Sequence, residues 1–375
     1  MIYLDHAAAT PIRKEVLKEM QPYFSKFFGN PSSAHTLGEE SKAAIEEASE
    51  DIKKVINAAG NGKIIFTSSG TESINLALLG VARATNKRHI ITTKIEHPAV
   101  LETCAYLKKH GFKITYLDVD ELGQIDLEEL EKAVKKKTAL ISIHYANSEI
   151  GVIQNIREIS RRKQNALLHV DACQASGLLS LDVKKLGIDL LSLNAGKVYG
   201  PKGVGLLYAG YNVDLKPVIY GGSQELGLRA GTENVPSIVG FAKALELAEE
   251  EREDTSDKLE KLQDYSLKLL AKQIPNIRLN GHPTERLPNN LNFQIDGVEA
   301  DNVLNYLSDQ KIYASAGSAC KSNKQEPSHV LKALGLDDED AISSIRLSMG
   351  KDTTKEEMKE AIGTLSKIVK TLRKL

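Results

Sequence analysis

Lys197 stands where an apolar run gives way to small residues and a tight turn, in Leu191-Ser192-Leu193-Asn194-Ala195-Gly196-Lys197-Val198-Tyr199-Gly200-Pro201-Lys202-Gly203. A lysine at the mouth of a buried strand can shed its proton and act as an amine nucleophile, most often toward a carbonyl group. An isolated turn lysine is usually only solvated, so its company decides the reading. Asp171 ends the run Leu167-Leu168-His169-Val170, and Gln174 follows three residues later. An aspartate there can cap a helix or hold a cationic ring nitrogen. Cys320 lies in Ala314-Ser315-Ala316-Gly317-Ser318-Ala319-Cys320-Lys321-Ser322, a small-residue stretch unlike a buried core. A thiol in such a loop is a candidate nucleophile. Arg346 interrupts the alternating segment Ser343-Ser344-Ile345-Arg346-Leu347-Ser348. A half-buried arginine needs a partner, and a carboxylate suits its planar fork.

A lysine that forms Schiff bases, with a carboxylate for a pyridine nitrogen, suits pyridoxal phosphate (PLP), whose protonated ring works as an electron sink. Gln174 can then donate to the ring oxygen. The phosphate needs an anion site, and Ser68-Ser69-Gly70-Thr71-Glu72 stands between an apolar run and a helical one. Free N–H groups and the dipole at a helix start attract anions; an ordinary Ser/Thr cap with a first-turn glutamate reads equally well. Gly196-Lys197 is followed by Val198, so no nucleotide P-loop is present. His97, in Glu96-His97-Pro98, follows another apolar run. It reads as a structural histidine, or as one that stacks on a flat cofactor and moves protons near neutral pH.

The elements that must position these groups follow from the apolar pattern. Ile64–Thr67, His89–Thr93, Lys113–Leu117, Ala139–Ile143, Leu167–Val170, Leu190–Leu193 and Val204–Tyr208 are short continuous apolar runs separated by helical stretches. That alternation predicts an α/β fold, with a mostly parallel seven-stranded sheet covered on both faces. Ligands of such sheets bind at the carboxyl ends of the strands, where the candidate residues fall. From Pro236 to about Ile274 the chain reads as long, charged helices. Beyond them Asn290–Ile295 alternates like a half-buried strand. A large domain over 14–255 is expected, with a smaller α/β domain from 1–13 and 256–375 carrying the Cys320 loop.

The 375 residues are 41% hydrophobic and 26% charged, with a formal net charge of −1, as in a soluble globular protein. No global field favours nucleic acid or an anionic membrane, and no apolar run nears the roughly 20 residues a bilayer span needs. A cytoplasmic protein is expected. Three cysteines without a C-x-x-C pair form neither a disulfide framework nor a metal site, and no metal is expected. Cys104 and Cys173 read as core thiols.

Taken in order, these motifs resemble the cysteine desulfurases of the aminotransferase class V group, PLP enzymes of fold type I. The resemblance runs from Tyr3-Leu4-Asp5-His6-Ala7-Ala8-Ala9-Thr10 through Thr67–Ser73, Glu96-His97, Asn147-Ser148-Glu149-Ile150-Gly151, His169-Val170-Asp171-Ala172 and Tyr199–Gly203. It closes on Gly227–Thr232, Gly317-Ser318-Ala319-Cys320 and Glu326–Leu331. The Gly-Ser-Ala-Cys loop is similar to that of the housekeeping iron–sulfur assembly enzymes. The resemblance implies a Schiff base on Lys197, which also shuttles the α-proton. It implies Asp171 on the pyridine nitrogen, Gln174 on the ring oxygen and His97 stacked on the ring. Gly70, Thr71 and Asn194 would hold the phosphate, joined by Thr232 from the second subunit of a homodimer. Arg346 would clamp the carboxylate of L-cysteine with Asn147 nearby. Cys320 would take the sulfur as a persulfide and pass it to an iron–sulfur scaffold or another acceptor, such as one for tRNA thiolation. A selenocysteine lyase and a weakened homologue acting as sulfur relay or scaffold are the competing readings. The resemblance departs at Asn194 and Gly196, where the family has a phosphate-binding serine and histidine, and at Ser148, usually asparagine. PLP is therefore expected to bind less tightly than is typical.

Overall fold

A computed structural model describes residues 1–58, 60, 62–316 and 327–374. Twelve strands occur among them: β1 Ile2–Tyr3, β2 Lys63–Thr67, β3 His89–Thr93, β4 Lys113–Leu117, β5 Thr138–His144, β6 Leu167–Asp171, β7 Leu190–Asn194, β8 Gly205–Ala209, β9 Ile277–Leu279, β10 Asn290–Ile295, β11 Ile312–Tyr313 and β12 Ser344–Ser348. Seven form the main sheet in the order β2-β8-β7-β6-β5-β3-β4. The expected seven-stranded, mostly parallel sheet is present, and its one reversed strand is β8, antiparallel to both β2 and β7. Gly205 allows that insertion: a Cβ there would come within 2.6 Å of Ser69 carbonyl carbon.

Side chains alternate across the strands, and successive residues enter two different cores. Phe66, Ile91, Ile141, Leu191 and Leu206 pack on one face with Ile52 and Phe241. Ile65, Ile90, Leu140, Leu190 and Leu207 pack on the other with Ile74, Leu78 and Cys104. Each fully buried leucine or isoleucine stabilises the fold by about 2 kcal/mol. Helices Thr36–Val55 and Val235–Glu250 therefore cover one face, and Gly70–Ala84 and Pro98–Lys109 the other.

The second face changes character along its length. Ser142 and His144 on β5, His169 and Asp171 on β6, and Ser192 and Asn194 on β7 continue its parity, so the apolar layer becomes polar toward the strand ends. His169 bridges this stripe, with Nδ1 2.9 Å from Ser142 Oγ and Nε2 2.9 Å from Ser192 Oγ. Burial pushes its pKa down to about 4, against a smaller upward pull from Asp171. The ring is therefore neutral, each nitrogen meeting a hydroxyl that can donate or accept.

A separate core joins Leu259, Leu270, Phe293, Val303, Leu347 and Leu365 to Ile2 and Leu4 near the start of the chain. It supports the antiparallel sheet β12-β10-β9 and the parallel pair β1-β11. All six residues of β10 are buried, not half of them as its alternation predicts, because the strand lies between β9 and β12 with both faces covered. Helix Arg252–Gln273 runs continuously across position 255. Its last helical neighbour, Lys355–Leu372, opens with a capping box between Thr354 and Glu357.

Candidate active site

The carboxyl ends of β2, β3, β5, β6 and β7 open into one cavity of about 190 Å³. Its lining includes Gly70, Thr71, His97, Asn147, Asp171, Gln174, Asn194, Lys197 and Arg346. Nine residues chosen from sequence, spread over 277 positions, thus meet at one place. Thr232 is exposed and does not line the cavity of its own chain. Cys320 lies outside the described residues.

Lys197 ends a single 3-10 turn that follows β7 directly. Its Nζ donates to the carbonyls of Ala7 at 2.7 Å and Ala8 at 2.6 Å. Burial lowers its pKa from the ordinary lysine value, and Arg346 pushes the same way. The acceptors that hold it are neutral carbonyls, so the amine is oriented without a salt bridge to stabilise its cation. Asp171 Oδ1 accepts from the Cys173 N–H at 3.0 Å. Its Oδ2 makes no hydrogen bond to any described residue. Gln174 Nε2 donates to Ala7 O at 3.0 Å, which uses one of its two amide hydrogens.

His97 caps helix Pro98–Lys109, with Nδ1 accepting from Ala99 N–H at 3.0 Å. That bond fixes the neutral ring's proton on Nε2. Burial lowers its pKa, with Asp171 opposing. Arg346 on β12 donates from Nη1 to Ser148 O at 2.9 Å and from Nη2 to Asp5 Oδ1 at 2.7 Å. Three of its five N–H donors stay free of described partners, including a buried Nε. Asn147 mostly closes its own turn: Oδ1 accepts from Glu149 N–H and Ile150 N–H at 2.8 and 3.0 Å, and Nδ2 donates to Ile95 O at 2.9 Å. One amide hydrogen remains for a ligand.

At the other end, Ser69 Oγ caps helix Gly70–Ala84 by accepting from Glu72 N–H at 3.2 Å. Both readings of Ser68–Glu72 are therefore compatible, since the cap leaves the N–H groups of Gly70 and Thr71 unused. Gly70 leaves room that a side chain would fill, because a Cβ would sit 2.8 Å from Cys173 Sγ and 3.6 Å from Asn194 Nδ2. Asn194 Oδ1 is occupied by the Gly196 N–H at 2.9 Å, while its Nδ2 has no described partner. Two helix-start N–H groups, an amide donor, a carboxylate oxygen and a deprotonable amine make a donor set that fits PLP.

Sequence reasoning missed several lining groups. The carbonyls of Ala7 and Ala8 carry no side-chain signal. Cys173, expected in the core, is half-buried and lines the cavity, because the turn after Asp171 brings it under Gly70. His329 also lines the cavity, its Nε2 bonded to Glu96 O at 3.0 Å. His144 and Glu96 form a buried pair on the wall, with Nδ1 3.0 Å from Oε1. The polar parity shared by β5, β6 and β7 is a signal that could have found His144.

The sequence profile of the Aminotransferase class-V family matches residues 2–360, and the chain belongs to that family. It is 48% identical over 376 residues to a protein of Dictyoglomus turgidum named "Cysteine desulfurase IscS", covering 99% of this chain and 95% of that one. A protein of the same name from Methanosarcina thermophila is 48% identical over 378 residues, covering 100% and 93%. Among solved structures, a "NIFS-LIKE PROTEIN" superposes with a TM-score of 0.92 at 39% identity, over 99% of both chains. "SspA in complex with cysteine" superposes with 0.81 at 37% identity, over 93% of this chain and 99% of that one.

Proposed function

We propose that this protein is a PLP-dependent L-cysteine desulfurase. It converts cysteine to alanine and leaves the sulfur as a persulfide on Cys320, for iron–sulfur cluster assembly or tRNA thiolation. The observation that carries the reading is the meeting of the Lys197 amine, the Asp171 carboxylate and the Arg346 guanidinium in one cavity. The relatives named as cysteine desulfurases support it over the relay, scaffold and selenocysteine readings.

PLP, when bound, supplies a carbonyl for amines and an electron sink for the carbon next to the amino group. The chain's own residues do the rest. Asp171 would hold the ring nitrogen, Gln174 the ring oxygen, and His97 a face of the ring. Gly70, Thr71 and Asn194 would hold the phosphate, with Thr232 of a second copy in a homodimer. Arg346 fixes the substrate carboxylate, and Asn147 stands beside it. Lys197, its pKa lowered by burial, is the amine that would hold the cofactor's carbonyl carbon and, once free, would take the substrate α-proton at Nζ. The cysteine Cβ–S bond breaks as the Cys320 thiolate forms the S–S bond; Cβ keeps the bonding pair and takes a proton to give alanine, so the carbon is reduced as the sulfur is oxidised and no outside redox agent is needed.

The two-core packing supports a large unit over 14–255 and a smaller one from 1–13 with 256–375. Among the described residues no helix is long and apolar enough to cross a membrane, which fits the cytoplasmic reading. The test is a spectrum of the PLP-loaded protein before and after L-cysteine, with alanine measured. Wild type releases alanine and its visible band changes. Lys197→Ala falls below ~10⁻⁴ of that rate, and Cys320→Ala stops turnover. Turnover surviving both substitutions overturns the mechanism.

A further inference from the structure

One wall of the cavity carries a charge pair that the proposed reaction leaves unused. Glu96 has no exposed side-chain surface and His144 only 5%. Glu96 accepts from Thr93 Oγ1 at 2.7 Å on one oxygen and from the His144 backbone N–H at 2.9 Å on the other. The His144 ring nitrogen Nδ1 stands 3.0 Å from the first oxygen. Both ring nitrogens are buried and neither meets hydrogen-bond geometry with a described residue, so Nδ1 and Glu96 make a close ionic contact rather than an aligned hydrogen bond. His144 and Asp171 are register partners on the parallel strands β5 and β6, and both line the cavity.

We propose that Glu96 holds His144 as an imidazolium against the Asp171 end of the cofactor site, making His144 a positioning residue that sets the charge felt by the bound cofactor through Asp171. The inference rests on the PLP reading above. The groups that face His144 favour it. From the turn after β3 come the Glu96 carboxylate and, beyond it, the neutral ring of His97. From β6 come Asp171 and the neutral His169. From helix His329–Ala333 comes His329, which is turned to the Glu96 carbonyl. Burial alone would lower the pKa of His144, yet Glu96 and then Asp171 raise it above the ordinary histidine value. A buried cation needs nearby negative charge, and Asp171, on the adjoining strand, adds its charge to that of Glu96 without a hydrogen bond to the ring. A neutral residue at 144 would leave Glu96 as an uncompensated charge and Asp171 without its counter-charge.

The test uses PLP-loaded wild type, His144→Gln and His144→Met, following the visible absorbance of the bound cofactor against pH. Removing a fixed cation makes loss of a proton from the cofactor site harder. Both variants should therefore raise the pH midpoint, by roughly 0.5–1 unit for one charge at this range. Glutamine keeps a donor but no charge, so a His144→Gln midpoint within about 0.2 unit of wild type overturns the proposal and leaves His144 as packing. A midpoint that moves down overturns it too. If neither variant folds, ¹⁵N-histidine spectra of unmodified apoprotein decide: one imidazolium persisting above pH 7.5 supports the proposal, and its absence refutes it. Absence of any visible band in loaded wild type would instead refute the PLP reading.

Discussion

The two ends of the cavity are built differently. The end proposed for the cofactor ring gathers Asp171, Lys197, His97 and the Glu96–His144 pair, at strand ends or in the turns just past them, and Arg346 from the middle of β12, most of them buried. The end proposed for the phosphate offers helix-start N–H groups, the exposed Thr71 and the amide of Asn194, with no charged side chain among the described residues there. One end is fixed by the sheet and backed by His169 between two serines. The other depends on neutral donors whose alignment is set by one helix cap. Chemistry needs the first kind of precision, because a charge misplaced in a low-dielectric site is costly. Anchoring tolerates the second, since several weak donors share the load.

That contrast can be broken most forcefully at Arg346. Arg346→Gln removes charge-assisted bonds to a substrate carboxylate and leaves Asp5 unpaired. The apparent KM for cysteine should rise about 10²–10³-fold, while PLP absorbance persists. Loss of PLP with no change in KM would place Arg346 in the scaffold instead.

The buried floor gives the next largest effect. His169 has a folded-state pKa of about 4, below its unfolded value, so the unfolded chain binds the proton more readily. The contribution of His169 is fully present above about pH 6.5 and is lost as the pH falls through 4. That loss amounts to about 3 kcal/mol. Denaturant midpoints from pH 7 to 4 should fall less steeply for His169→Gln than for wild type.

Smaller effects belong to the phosphate end. Asn194→Ala removes the Nδ2 donor and frees the Gly196 N–H. The PLP dissociation constant should rise about five- to tenfold, one hydrogen bond's worth. Gly196→His tests the same end by gain. A Cβ at 196 would meet Asn194 Oδ1 at 3.4 Å and Lys202 Cγ at 3.5 Å, ordinary contacts. The added donor should tighten PLP by up to about tenfold. A 196 variant that binds no tighter would show that backbone N–H groups already saturate the phosphate.

The strands, their number and the strand-end placement of Asp171 and Lys197 were legible in the sequence, because buried parallel strands read as continuous apolar runs. The direction of β8 was not, since an apolar run carries no sign of polarity and the glycine that admits it is silent until neighbours are known. Gln174 could be identified by type and Asn147 through the family resemblance, but neither by its hydrogen-bond commitments, which involve backbone atoms 167 and 52 residues away. His144 escaped notice because its meaning lies in Glu96, on another strand's turn, and only spatial pairing gives the two of them one function.

The cavity wall is closed by residues from opposite parts of the chain: Arg346 grips Asp5, and Ser348 Oγ receives the Ala7 N–H, each across 341 positions. During synthesis at about 5–20 residues per second, the first partner waits roughly 20–70 s for the second. In the later part of that interval Lys197 is already made, but the carbonyls of Ala7 and Ala8 have no fixed place from which to hold it. A nascent chain therefore carries every strand of its main sheet before it can hold an amino acid, and the reaction cannot begin on the ribosome ahead of nearly complete translation.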